Sequence, residues 1–484
     1  MNAVLFLLLS CAPKVAPEPP PVAPPPPVYV PQTPETLAPR PFTPPAVAWG
    51  KVGPAPLAVV ENHEVPFVTV EIQFAARSTA NPLAKAGLAQ ATMDMLNEGA
   101  GKRTALELSA ELRRLGASLS TDSGVDGSSA SVTCLRDRLE ATLDVLADVL
   151  LRPTFPAEEW ERRRALWIDS IEEGRNDPSV IAGRVLNTRL WGDAYYGMRA
   201  TPESLKRFGV KEMAAWHKAN VTLDGALVLV GGDITLAEVE PLLVSRFAGL
   251  KRPAPVREAL PVAPRAPEKT TVFLVDKPGA AQSVVRASTY LGKPTDPDYY
   301  SLVVANIAMG GQFASRINLN LREQKGFTYG ARTSVSYDLA GVSWSFSSGI
   351  HSEKTGPALE ALFAELAQVE ADRPLTEKEV AEGVGSLVGG WPLRFESPNY
   401  LLGQLDVIRT YGLPEDWVSG YLPRVRAVTP ASAQAAWASR VDADRLTFVV
   451  VGDAAVVRPD LEKLGLVVVP VDVDGKALGD SNGH

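Results

Sequence analysis

Residues 227–233, Leu-Val-Leu-Val-Gly-Gly-Asp, and residues 446–453, Leu-Thr-Phe-Val-Val-Val-Gly-Asp, are two apolar runs that each end in Gly-Asp. Short apolar runs closed by a turn signal are the mark of buried strands. A second pair of segments repeats the offset between their aspartates, Asp233 and Asp453. Residues 155–160, Phe-Pro-Ala-Glu-Glu-Trp, and 375–380, Leu-Thr-Glu-Lys-Glu-Val, each open a helix with a capping residue and early acids. Phe155 is as far from Leu375 as Asp233 is from Asp453. One period found twice predicts tandem homologous domains, and it is far too long for a solenoid repeat.

Inside each half the pattern is also shared. An alternating strand (65–74; 283–290) leads to a helix (82–96; 298–309), a second helix and further alternating strands (117–133; 328–350). Amphipathic helices follow (137–151 and 157–173; 354–371 and 377–388), then a short helix and the Gly-Asp strand. Strands clustered between helix groups, joined as hairpins and not by regular crossovers, predict an α+β fold. Two homologous domains are expected, each a mostly antiparallel sheet with helices packed on one face. The first domain is read as residues 51–250, an interdomain linker rich in Pro and charge as 251–269, the second domain as 270–470, and a polar tail as 471–484.

The chain has 484 residues, 45% of them hydrophobic, which is enough apolar content for large cores and excludes wholesale disorder, collagen and a disulfide-stapled miniprotein. A net charge of −8 excludes a nucleic-acid partner, which would need basic clusters that outnumber local acids. The four histidines, His63, His217, His351 and His484, are too far apart for any helix to present two of them one turn apart to a metal. Cys134, in the alternating run 131–135, has no partner thiol nearby and reads as a buried strand residue.

Residues 1–11 are an apolar run ending Leu-Leu-Ser-Cys, too short to span a bilayer and readable as an export signal. The end of the run resembles a bacterial lipobox, which implies cleavage before Cys11 and lipidation of its thiol and new amino terminus. Two or three acyl chains, at about 0.8 kcal/mol per buried methylene, would hold the chain stably on a membrane. Ala12 stands where many inner-membrane lipoproteins carry a retention aspartate. The expectation is therefore a lipid-anchored protein of the bacterial cell envelope, on the periplasmic face, with the outer membrane favoured. Residues 12–47 hold 15 of the 41 prolines, so 12–50 reads as an extended polyproline spacer of up to about 3.1 Å per residue.

The two-half layout, with Gly87-Leu88-Ala89 opening the first helix, resembles the insulinase, pitrilysin and mitochondrial processing peptidase family of zinc peptidases. The similarity covers roughly residues 58–470. In active members Gly-Leu-Ala runs into H-x-x-E-H: two imidazoles four apart bind zinc, a distal Glu completes the ligand set, and the intervening Glu takes a proton from metal-bound water. Here the window reads Gln90-Ala91-Thr92-Met93-Asp94. The amide of Gln90 binds zinc poorly, Met93 carries no basic group, and only Asp94 could ligate. The family's distal-ligand spacing, counted on from Asp94, falls on Ser170. Glu172 and Glu173 are close in sequence, but a shift of two or three helical residues turns a side chain by about 200° or 300°.

The second half keeps another feature. Met309-Gly310-Gly311 and then Leu321-Arg322-Glu323-Gln324-Lys325-Gly326-Phe327-Thr328-Tyr329 resemble the family's glycine-rich loop and its L-R-x-x-x-G-x-x-Y signature. The resemblance implies that Arg322 and Tyr329 bind substrate backbone and steady a developing oxyanion, for which a guanidinium fork and a phenol are suited. The Gly pair lacks the Lys and Ser/Thr of a phosphate loop and reads as a turn. The run Arg162-Arg163-Arg164 reads as a solvated helix face. Three functions are compatible with these residues. The chain is a catalytically silent subunit that binds no metal and donates Arg322 and Tyr329 to a zinc-bearing homologous subunit acting on peptides; or it is an envelope peptide-binding or scaffold protein without a catalytic partner; or it is a self-sufficient metallopeptidase using Asp94 and Glu173.

Overall fold

The structure, a computed structural model, describes residues 41–78, 81–253 and 264–478. The export signal, Cys11, nearly all of the Pro-rich spacer, part of the interdomain linker and residues 479–484 lie outside the described residues. No helix among the described residues is long and apolar enough to cross a membrane.

Two six-stranded sheets form the body. In the first, β1 (Ala48–Val52), β2 (Ala55–Glu61), β3 (Phe67–Phe74), β4 (Ser118–Ser123), β5 (Ser128–Leu135) and β6 (Leu227–Gly232) are ordered β1-β2-β6-β3-β5-β4. In the second, β7 (Thr271–Asp276), β8 (Gln282–Gly292), β9 (Thr328–Asp338), β10 (Gly341–His351), β11 (Thr447–Gly452) and β12 (Val467–Val471) are ordered β9-β10-β8-β11-β7-β12. Removing β1 and β12 leaves one topology twice: first, fifth, second, fourth, third. The first and fifth strands of each set run parallel and the rest antiparallel. The Gly-Asp runs that fixed the period are the buried strands β6 and β11.

Each sheet packs one face on helices of its own half, giving two cores. The other faces are covered by exchange. Helix Pro178–Trp191, from the first half, lies on the second sheet through Ile181, Ala182, Val185 and Leu186, against Val275, Val449 and Val451. Helix Pro398–Tyr411, from the second half, lies on the first sheet, where Leu401, Leu402, Trp391 and Phe395 cover Ala58, Val60, Leu227 and Leu229. The first and last residues of these two helices are separated by the same period that relates the Gly-Asp strands. They also begin alike: Asp177 and Ser397 accept from backbone N–H groups of the first turn, and a proline follows each. Buried side chains of this size stabilise by roughly 1.5–3 kcal/mol each, so neither sheet is closed without the opposite half.

Polar contacts follow the same seam. Asp126 accepts from Tyr196 at 2.5 Å and from Tyr411 at 2.8 Å, and Tyr290 donates to Asp338 at 2.7 Å. The body begins before the spacer boundary read from proline content: Ala48–Val52 pairs as a strand, and Phe42 packs on Phe395 with ring centroids 5.0 Å apart. The first residues of the expected polar tail are likewise held, because Asp474 meets Arg175 at 2.8 Å and Arg184 at 3.3 Å on and beside the exchanged helix. Cys134 is fully buried on β5.

The exchange predicts opposite signs for two glycine substitutions. A Cβ on Gly231 would stand 2.9 Å from Pro398 and Leu402, so Gly231→Ala should destabilise the chain by about 1–3 kcal/mol. Gly403, on the exposed side of the covering helix, has open space around it, and Gly403→Ala should stabilise by about 0.5–1 kcal/mol. Thermal unfolding of both variants checks the pair.

A pH effect follows from His217. Its Nε2 meets the Leu150 carbonyl at 3.0 Å, and burial outweighs that bond and lowers its pKa from 6.5 to about 4. The unfolded chain takes up the proton first, so stability is complete above pH 6.5 and is lost as pH falls towards about 4, by up to roughly 3 kcal/mol. His217→Phe should flatten that part of the stability–pH curve, measured by urea unfolding.

Candidate functional site

Helix Leu88–Met95 starts at Gly87, whose φ of 95° and close neighbours, with Ala200 2.9 Å from any added Cβ, admit no side chain. This sets the helix so that Gln90 and Asp94, one turn apart, face outward onto a cleft of about 580 Å3. Ser170, from helix Ala157–Gly174, lines the same cleft, with Trp160 and Trp167. The three positions read as metal-ligand positions are thus brought together. Met93 is not among them: it is 0% exposed in the first core, and its carbonyl accepts from Thr121 on β4 at 2.7 Å. Neither Glu172 nor Glu173 lines the cleft, and Glu172 faces Arg175 at 3.6 Å.

The donors do not suit zinc. One amide, one hydroxyl and one carboxylate converge, where a catalytic zinc needs three strong nitrogen, sulfur or carboxylate ligands and an open position. Burial pushes the Asp94 carboxyl above its ordinary pKa, with Arg163 and a hydrogen bond from Gln90 pulling it back. Among the described residues no group of three His, Cys, Asp or Glu side chains is placed to hold a metal. No step can be derived through zinc on this chain's own residues.

The arginine run is partly the solvated face expected of it, with Arg162 exposed and Arg163 and Arg164 half-buried, but it also has a second role. Arg162 and Arg163 line the cleft, and both reach Glu98, a buried carboxylate just past the first helix: Arg163 through a short bond from Nε, Arg162 at 3.4 Å. Arg162 also pairs locally with Glu159 at 2.8 Å, and Arg164 with Glu161. A signal for this existed in the spacing, since positions 163, 167 and 170 share one helix face.

Arg322 and Tyr329 stand apart from that cleft, on the second lobe. The Gly pair falls in the widened turn Ile307–Gly311, where a Cβ on Gly310 would lie 2.2 Å from Thr333 on β9. This close approach, with no phosphate-loop chemistry, is what the glycine provides. The chain then presents Phe313, half exposed, and the Arg322 guanidinium lies 4.4 Å over its ring, with Glu323 at 3.4 Å. Tyr329 sits at a bulge between Thr328 and Ala331, where the Thr328 hydroxyl accepts from Gly330 N at 3.0 Å and donates to the Gly349 carbonyl at 2.6 Å. Bulges re-aim side chains, and Tyr329 is turned out to 81% exposure. Buried Asn318 ties the two segments, donating to the Phe313 carbonyl at 2.7 Å and accepting from Ala331 N at 3.0 Å. Phe313 and Asn318 were not singled out in the sequence.

Comparison with known proteins agrees with this geometry. Residues 57–197 match the family model described as insulinase (peptidase family M16), and residues 207–387 match the model described as the peptidase M16 inactive domain. An uncharacterized zinc protease of Streptomyces coelicolor is 23% identical over 350 residues, covering 70% of this chain and 75% of that protein. The uncharacterized zinc protease YmxG of Bacillus subtilis is 22% identical, over 65% of this chain and 75% of its own length. Among solved structures, a peptidase M16 inactive domain from Pseudomonas fluorescens superposes with a TM-score of 0.76 at 24% identity, over 84% of this chain and 98% of that one. A protease from Helicobacter pylori gives 0.74 at 14% identity, over 84% and 99%. With the duplicated topology, the ligand positions gathered in one cleft and two models of one family matching residues 57–197 and 207–387, the chain belongs to the insulinase family, peptidase family M16.

Proposed function

We propose that this chain is the catalytically silent subunit of a heterodimeric zinc metallopeptidase, contributing Arg322 and Tyr329 to an active site whose zinc is held by a homologous partner chain. The observation that carries the reading is the division of chemistry between the lobes. The first lobe gathers its ligand positions in a cleft but fills them with Gln90, Asp94 and Ser170 and sends the base position, Met93, into the core. The second lobe holds a guanidinium over a ring and a phenol on a bulge, both accessible from outside the chain.

In this role Arg322 and Tyr329 act on a peptide bound against the partner. The guanidinium, held by Phe313 and Glu323, donates to substrate carbonyls in a fixed orientation. The Tyr329 hydroxyl donates to the oxygen that gains charge when the scissile carbonyl is attacked. Donors already in place cost no reorganisation at that moment, which is why they accelerate the step as well as binding substrate. Attachment through lipidated Cys11 would keep the pair at the periplasmic face of the envelope, with the outer membrane as the favoured site and the Pro-rich spacer between lipid and body.

The test uses the full chain, the zinc-bearing homologue from the same envelope and a fluorogenic peptide library. Changing Arg322→Ala together with Tyr329→Phe should lower kcat/KM of the mixture by about 100-fold or more, with the larger part in kcat. Cleavage at an unchanged rate by the double variant would refute the role.

A further inference from the structure

The two elements that a metal in the first-lobe cleft would bridge are already joined by charge. Gln90 and Asp94 lie on helix Leu88–Met95, which continues through Glu98, and Ser170 lies on helix Ala157–Gly174. Between them, Glu98, 6% exposed, takes the Arg163 Nε–H and stands 3.4 Å from Arg162, and Arg162 is itself held by Glu159 at 2.8 Å. Of the charged neighbours acting on Asp94, Arg163 is the strongest. Arg163 thus serves both Glu98 and Asp94, while Arg162 is shared between Glu98 and Glu159. Space is not the obstacle to an ion, because the cleft keeps about 580 Å3.

We propose that Arg163 is the resident cation of this cleft: lining it with Gln90, Asp94 and Ser170 and bonded to the buried Glu98, its guanidinium links the two helices and excludes a divalent metal by repulsion in addition to the loss of donors. A divalent ion in the cleft would repel the Arg163 guanidinium, and displacing that guanidinium would leave the buried Glu98 carboxylate short of its partner, which is costly. The proposal concerns this chain alone and stands whether or not it has a zinc-bearing partner.

The experiment restores the donors in the full chain, as Gln90→His, Asp94→His and Ser170→Glu, with and without Arg163→Gln, and measures zinc affinity by competition with a chromophoric chelator. With Arg163 intact, the restored chain should bind zinc at least about 100-fold more weakly than with Arg163→Gln. Affinities within threefold of each other, or no zinc bound by either, would overturn the proposal. A second measurement needs no restored donors. In the natural background Arg163→Ala should lower Tm by about 5 °C, while Ser170→Ala leaves it within about 1 °C. An Arg163→Ala chain that melts with the unaltered protein would overturn it equally.

Discussion

Apolar contact between helix Pro178–Trp191 and the second sheet, and between helix Pro398–Tyr411 and the first, holds the two halves as one body. Each half supplies the lid for the other's outer sheet face. This fixes the lobes relative to each other through packed side chains. It also makes the molecule a duplication whose copies cannot be separated without exposing strands such as β6 and β11, all of whose residues are buried. The tyrosine–aspartate contacts and the arginines around Asp474 lie along the same seam and add direction to a contact that apolar surface alone would leave free to slide.

On this frame the two lobes have diverged in chemistry while keeping their shape. The first lobe keeps the helix pair, the left-handed Gly87 and the cleft, yet the arginines in the cleft are already taken up by carboxylates: Arg163 by Glu98, and Arg162 by Glu98 and Glu159. The second keeps its reactive groups unspent. Arg322 is braced by a ring and a carboxylate at its edge, and Tyr329 makes no hydrogen bond that would occupy its hydroxyl among the described contacts. A cleft without zinc donors in one lobe and outward donors in the other are what the proposed role, completing another chain's site, requires.

Much of this was readable in the residues. The duplication was carried by the Gly-Asp strands and the helix openings, and the same period reappears in both exchanged helices. Gln90 and Asp94 share one face of their helix because helix periodicity puts them one turn apart, and that much is visible in the spacing alone. What the sequence did not carry was pairing across long separation. Nothing in the apolar pattern of residues 178–191 says which sheet they cover, and the expectation of helices on one face did not include the exchange. The bonds from Arg162 and Arg163 to Glu98 span 64 and 65 residues, so a basic run that is locally indistinguishable from a solvated face is in fact tied to a buried carboxylate. Proline content likewise placed the body's start too late, because Phe42 and β1 are held by partners far along the chain.

The decisive measurement is peptide hydrolysis and bound zinc for the purified full chain, first alone and then with the proposed zinc-bearing homologue. A silent subunit gives no turnover and far less than one zinc per chain by itself, and turnover with one zinc per pair once the homologue is added. Hydrolysis by the chain alone, with zinc bound in equal amount, would contradict that assignment outright.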